Sequence, residues 1–277
     1  MTTPGLRPLS FGEVLDVAFK LYQRHWRTLF PLVLAVVVPV QIIGGIVLAT
    51  TVPDTDVFTG TVNTNDLQSG DVALYYVGQL VNAVLFAVST LLVTAALVRA
   101  LGEAYLGRRP TWQESLSFAF ARIGALLWLS VLVGLGIAAG LLLCCVGALF
   151  PYTAWAVAFP ALVIEGVRGT GALNRSWTLV KPHFWWVLGL LLIAFLIVLV
   201  AQVVIGLVIG AAILTNLDSV VLAATLSTLA NIVAYTLTTP FSAAVTTVLY
   251  FDLRVKNEGF DLQQLARGLD GPLPATP

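Results

Sequence analysis

LSFGEVLDVAFKLYQRHWRTLFPLVLAVVVP, the stretch from Leu9 to Pro39, decides how the rest of this chain reads. Ser10 followed by Glu13 has the spacing of a capping box, in which each side chain satisfies the other's free backbone N–H. Leu9 and Val14 stand where a hydrophobic staple closes over such a cap. Phe11, Val14, Leu15, Ala18, Tyr22 and Trp26 recur at steps of three and four and share one helical face. Glu13, Asp16, Lys20, Gln23, Arg24 and Arg27 take the other face, and from Leu29 to Val52 no charge occurs. The pattern predicts a helix on a membrane surface that turns into a membrane-spanning one.

Composition points the same way. Of 277 residues, 58% are hydrophobic and only 10% charged, and the mean hydropathy is strongly positive, which argues against a soluble globular domain. The two cysteines, Cys144 and Cys145, are adjacent in an apolar stretch. A disulfide between neighbours is strained, so they read as small packing residues rather than a disulfide framework. The first apolar run starts late and follows an amphipathic helix, so a cleaved signal peptide is not expected.

Working along the chain, residues 1–9 read as a flexible tail. Leu29 to Val52 is the first expected span, and Pro53 to Asp71 an acidic loop without Lys or Arg. Val72 to Leu106 is the second span, longer than the roughly 20 residues that a bilayer demands. Thr111 with Glu114 repeats the capping-box spacing ahead of a second surface segment. Ile123 to Leu143, Val146 to Ile164, His183 to Leu214 and Asp218 to about Asp252 are the third to sixth spans, the last broken or kinked near Pro240. Phe260 to Leu269 offers one more surface helix, and 263–277 a C-terminal tail. All 14 Lys and Arg residues fall in the N-terminal segment, the second and fourth connections, the adjoining helix ends, or the C-terminal part. The positive-inside rule then places both termini in the cytoplasm of a bacterial cell, with the protein in the inner membrane.

The reading is an all-α, polytopic membrane protein: one domain over 10–262, six transmembrane helices and three interfacial amphipathic helices. Leu15-Asp-Val-Ala18-Phe19, Leu116-Ser-Phe-Ala119-Phe120 and Leu173-Asn-Arg-Ser176-Trp177 share a Leu-x-x-small-aromatic core, followed by Trp26, Trp128 and Trp185. This suggests three copies of surface helix, span, span, over 10–106, 111–165 and 170–255. The alternative is convergence of ordinary membrane-surface helices on one amphipathic pattern.

Signals for chemistry are weak. The spans hold no Asp, Glu, Lys, Arg or His away from their ends, where a proton-coupled transporter or intramembrane hydrolase needs one. His25 and His183 lack metal-ligand spacing, so no catalytic residue, metal or cofactor is expected, nor a nucleic-acid partner. Gly136 with Gly140, and Gly206 with Gly210, are small residues spaced by four that let helices approach closely. Gln79, Asn82, Thr90 and Thr94 share a face of the second span. Ser227, Asn231, Tyr235, Thr238, Ser242 and Thr246 share one on the sixth, and Gln41 and Gln202 stand alone. Those faces either line a polar cavity or hydrogen-bond helix to helix. Glu165, close to Arg168 and Arg175, is expected to form an inner-face ion pair holding the third surface segment; Glu103 and Asp252 read as solvated helix ends.

Pro8-Leu-Ser-Phe-Gly-Glu-Val-Leu-Asp-Val-Ala-Phe-Lys-Leu-Tyr22, the region from Ala161-Leu-Val-Ile-Glu-Gly166 to Ser176-Trp-Thr-Leu-Val180, and Tyr250-Phe-Asp-Leu-Arg-Val255 through Gly259-Phe-Asp-Leu262 resemble a bacterial family. It is the membrane domain of glycerophosphoryl diester phosphodiesterases, frequent in actinobacteria. In fused members this domain precedes a phosphodiesterase barrel, whose metal-binding carboxylates have no counterpart in this sequence. The expectation is a non-enzymatic assembly, anchoring or envelope-organising module embedded in the lipid bilayer. Its cytoplasmic belt would meet anionic lipid headgroups, a protein partner or a second copy in a homo-oligomer. The alternative is a carrier or flippase for a lipid or weakly polar solute, using the Asn82 and Asn231 faces.

Overall fold

The computed structural model describes residues 8–51, 69–143, 145–214 and 220–259, with side chains described at all of these except 48–49, 69–72, 145–146, 143, 212–214 and 220–224. The expectations for the N-terminal tail, the acidic loop, Cys144 and the segment after Gly259 lie wholly or largely outside them. Among the described residues every regular element is a helix. Five helices are long and apolar enough to cross a membrane, the architecture of a multi-pass membrane protein.

α1 (Phe11–Thr51) is one continuous helix that carries both the amphipathic stretch and the apolar run. Its 41 residues extend about 60 Å at 1.5 Å each, roughly twice a hydrocarbon core. At its start the Ser10 N–H donates to Glu13 Oε2 at 2.8 Å, one arm of the expected capping box. Leu9 and Val14 are both buried. Buried Val14, Ala18, Leu29, Leu32, Val33 and Val36 continue the stripe, and Asp16, Lys20, Gln23, Arg24 and Arg27 are exposed opposite it.

α2 (Ser69–Tyr105) returns alongside α1 and ends at Gly107, whose φ of 79° closes the helix in the left-handed region. α3 (Trp112–Ala121) packs on α2. Its expected capping box does not form: Thr111 makes no side-chain cap bond, and its carbonyl accepts from Ser115 Oγ at 2.9 Å. A single residue, Arg122, separates α3 from α4 (Ile123–Leu143).

The fourth expected span is not one helix. It is a 3₁₀ turn (Cys145–Ala148), α5 (Leu149–Ala154), a one-turn α6 (Ala158–Pro160) and a π turn (Ala161–Glu165). Pro160 explains the break, since it has no N–H for the Ala156 carbonyl and its ring crowds that carbonyl. α7 mends it from outside. Ser176 Oγ donates to Ala154 O at 2.8 Å and accepts from Val157 N–H at 3.3 Å. Gly136 and Gly140 of α4 do allow close approach here: a Cβ on Gly136 would collide with Trp155, and one on Gly140 would lie 2.8 Å from the Ala148 Cα. A Cβ on the equally spaced Gly206 or Gly210 meets nothing within 4 Å among the described residues, so no close approach is seen there.

α7 (Thr170–Val180) leads through a 3₁₀ turn at Lys181–His183 into α8 (Phe184–Leu214). α9 (Val220–Glu258) runs unbroken through Pro240 and packs on α1, α2, α7 and α8. The core sits toward one end, where α1 and α8 begin and α2 and α9 finish, around Leu29, Leu97, Leu101, Leu190, Leu249 and Phe251. Away from that end α8 exposes Val200, Val203, Val204, Leu207 and Val208. The three motif segments bury corresponding positions: Val14 and Ala18, Ser115 and Ala119, Ala172 and Ser176 are all fully buried.

Candidate functional site

The core end is knitted by charge. Arg175 of α7 donates from Nε and Nη2 to the two oxygens of Glu165, both at 2.8 Å, a bidentate pair. Its Nη2 also reaches Glu258 Oε2 at 2.9 Å, and its Nη1 bonds the other Glu258 oxygen. Arg254 Nε lies 3.1 Å from Glu258 and 3.6 Å from Glu165, and the Tyr250 hydroxyl donates to Glu165. Gly166, with φ 75°, reverses the chain directly after Glu165 and brings α7 back over it. Two guanidinium groups thus face two carboxylates, and the end of the π turn, α7 and the last turn of α9 become one unit. The expected pair of Glu165 with Arg175 is part of this network. Arg168 is exposed, with no ion pair among the described residues.

Beside it lies a second latch. Asp252 is buried, not solvated as expected, because the start of α1 covers it. It accepts the Leu9 N–H at 2.7 Å, and Lys256 Nζ lies 2.7 Å from its other oxygen. Lys256 also donates to the Leu9 carbonyl at 2.9 Å and stands 3.7 Å over the Trp186 ring. Glu103 is likewise paired, with Arg99 at 3.1 Å. The internal acids of this end are therefore committed to partners. Arg24, Arg27, Arg108, Arg109, Arg168 and Lys181 remain exposed, with exposed Phe19 and Trp26 on α1 and exposed Phe120, Trp128 and Trp185 on α3, α4 and α8. Arg27 lies over the Trp26 ring at 5.5 Å.

The polar residues of the apolar region do several different things. Asn82 Nδ2 donates across to Gly44 O of α1 at 3.2 Å, where a Cβ on Gly44 would strike the amide. Tyr235 OH donates to Thr90 Oγ1 at 3.0 Å, joining α9 to α2. Gln79 bonds Tyr75 on its own helix, and Asn231, Thr238, Ser242 and Thr246 donate to carbonyls one turn back along α9. Ser227 offers its carbonyl to Asn231. The face of α9 is thus partly self-satisfied and partly a helix contact.

A cavity of about 430 Å³ lies where α1, α2, α8 and α9 meet; the sequence offered a polar cavity at the second and sixth spans as one alternative, but not the part that α1 and α8 take in its wall. It is lined by Gln41, Ser89, Gln202, Asn231 and Tyr235 among apolar side chains. The two glutamines that stand alone in the sequence meet there, and neither has a hydrogen-bond partner among the described residues. Their isolation in uncharged helices was the available signal. Below it an apolar groove of about 530 Å³, lined by Leu15, Phe19, Tyr22, Ala201, Leu237 and Phe241, shares Ile205 with the cavity wall.

The fold and these sites define an all-helical, multi-pass membrane architecture with a braced charged end and a polar cavity in its apolar region. No protein-family model, curated protein or solved structure matches the chain.

Proposed function

We propose that this protein is a non-enzymatic membrane module whose charged end is a rigid platform for anionic headgroups or a protein partner at the cytoplasmic face of a bacterial inner membrane. The supporting observation is the division of charge at that end. Glu103, Glu165, Asp252 and Glu258 are engaged in internal pairs, which leaves the exposed arginines and Lys181 in excess over the exposed acids among the described residues, Glu114 and the Lys20-paired Asp16, with exposed aromatic side chains on the neighbouring helices. Cations beside interfacial aromatic rings suit a headgroup layer of negative potential.

On this reading the chain crosses six times. α4 leaves the charged end and Glu165 is back at it, which supports taking the broken run Cys145–Glu165 as the return crossing. The matched burial of the three surface motifs supports a threefold repeat of surface helix, span, span, and the sequence resemblance to the phosphodiesterase membrane domain fits an anchoring role. The cavity favours a second reading, a carrier or flippase for a lipid or weakly polar solute. α2 and α9, joined by Tyr235 and Thr90, open beside α1 and α8 rather than between themselves.

The platform is tested by thermal unfolding in nanodiscs of phosphatidylcholine with and without phosphatidylglycerol. Phosphatidylglycerol should stabilise the wild type, and an Arg24→Gln/Arg27→Gln/Arg108→Gln/Arg109→Gln variant should lose that gain, as should the wild type in high salt. An equal gain in the variant would sink the reading.

A further inference from the structure

We infer that the cavity between α1, α2, α8 and α9 is a binding site for an uncharged, hydroxyl-bearing glycerolipid of the diacylglycerol class. The site is independent of the platform at the charged end, and it stands whether or not the ligand is moved across the membrane.

The argument begins with the cost of the lining. In a bilayer an amide without a partner is expensive, because no water is at hand to satisfy it. Gln202 is exposed on α8, on a helix whose most apolar window is only 6% buried, so it lies where lipid would surround it. It shares the cavity with Gln41, and neither amide is bonded within the described residues. A polar ligand group in the cavity satisfies both.

The donors and acceptors define the chemistry of that group. Gln41 and Gln202 each offer a carbonyl acceptor and an NH₂ donor. Asn231 uses one N–H on Ser227 O and keeps its carbonyl oxygen, while the Tyr235 hydroxyl is already bonded to Thr90 and Thr239 and borders the site. Such a set takes a free hydroxyl, which donates, together with ester carbonyls, which accept. No residue of the cavity lining carries a charge. A phosphate there would be a desolvated anion without a counter-ion, so phospholipid headgroups are disfavoured. The shared Ile205 joins the polar cavity to the apolar groove, which continues past Ala201, Leu237 and Phe241 toward Phe19 and supplies an acyl-chain path. Cavity and groove each fall within the size range of ordinary ligand sites.

Native mass spectrometry of the full chain, loaded separately with dioleoylglycerol, dioleoylphosphatidylcholine and dioleoylphosphatidylglycerol, tests the site. Two independent variants accompany the wild type. Gln202→Leu/Asn231→Leu removes amides and leaves an apolar surface. Gly206→Leu keeps every amide but fills the cavity, since Gly206 is in its wall and a Cβ there meets nothing within 4 Å. The wild type should retain dioleoylglycerol, and both variants should hold it roughly tenfold or more weakly, as expected for losing two amide contacts or the space itself. The arginine-to-glutamine variant of the platform should retain dioleoylglycerol like the wild type, whatever becomes of its phosphatidylglycerol response. Wild-type protein that holds no dioleoylglycerol, or either cavity variant holding it undiminished, overturns the site. Loss of phospholipid rather than dioleoylglycerol from the cavity variants overturns the ligand class.

Discussion

The two ends of the bundle solve the problem of buried polarity in opposite ways. At the charged end, bonds run between segments far apart in sequence: Arg175 to Glu165 and Glu258, Leu9 to Asp252, Lys256 to Leu9, Asn257 Nδ2 to Leu179 O at 2.8 Å, and Ser176 to Ala154. In the apolar half of α9, Asn231 and Thr238 bond carbonyls of their own helix, and cross-helix bonds are few, Asn82 to Gly44 and Tyr235 to Thr90. Side-chain packing follows the same gradient. On α8, Val187, Leu190, Leu191 and Ala194 near the charged end are buried, whereas Val200, Val203, Val204, Leu207 and Val208 farther along are exposed. One end is a cross-linked block, and the other is a set of helices with room between them. A cavity with unpaired amides belongs in the second region, where neighbouring side chains do not close over it.

The most damaging break in this contrast should come at Asp252. Asp252→Ala leaves Lys256 and the Leu9 N–H facing an apolar hole, and a broken buried pair costs about 3–5 kcal/mol. Thermal unfolding in mild detergent should fall sharply, with Asp252→Asn partly restoring it through the Leu9 contact. A melting curve like the wild type would mean the latch holds nothing together.

A smaller effect separates glycines on one helix. Gly140→Val pushes a side chain onto the backbone of Gly147 and Ala148, which cannot swing aside, so a loss of about 1–3 kcal/mol is expected. Gly134→Val, six residues earlier and facing open space, should be nearly silent in the same assay. Equal losses would show that the close approach of α4 to the broken segment is not what these positions report.

The smallest change belongs to the apolar half. Tyr235→Phe removes the bond from α9 to Thr90 of α2 and should cost only about 0.6 kcal/mol, as intramembrane hydrogen bonds do on average. A drop rivalling that of Asp252→Ala would erase the distinction between the two regions.

Much of this was legible from local pattern. Glu165 and Arg175 are ten residues apart around a glycine turn, close enough for sequence to pair them. Glu258 is 83 residues from Arg175, and no spacing rule connects them. Asp252 looked like a solvated helix end because its cover, the Leu9 backbone, comes from 243 residues away. The Gly-x-x-x-Gly spacing occurs twice with opposite outcomes, since spacing fixes which face carries the glycines and not what lies opposite. The fourth span failed as a single helix at Pro160, whose effect sequence could have flagged, but the mending hydroxyl of Ser176 could not be foreseen.

By itself the sequence determined the helices, their apolar character, the start of α1 and the segregation of cations, because each rests on interactions within a few residues: backbone periodicity, capping and transfer of side chains out of water. Tertiary structure alone decided which acids are buried, how Arg175 divides itself between two carboxylates, and where Gln41, Gln202 and Asn231 meet. Those outcomes depend on which surfaces come together across tens to hundreds of residues. A polar side chain's neighbours there, rather than its own type, set whether it is a latch, a self-bonded helix group or an open hydrogen-bonding site.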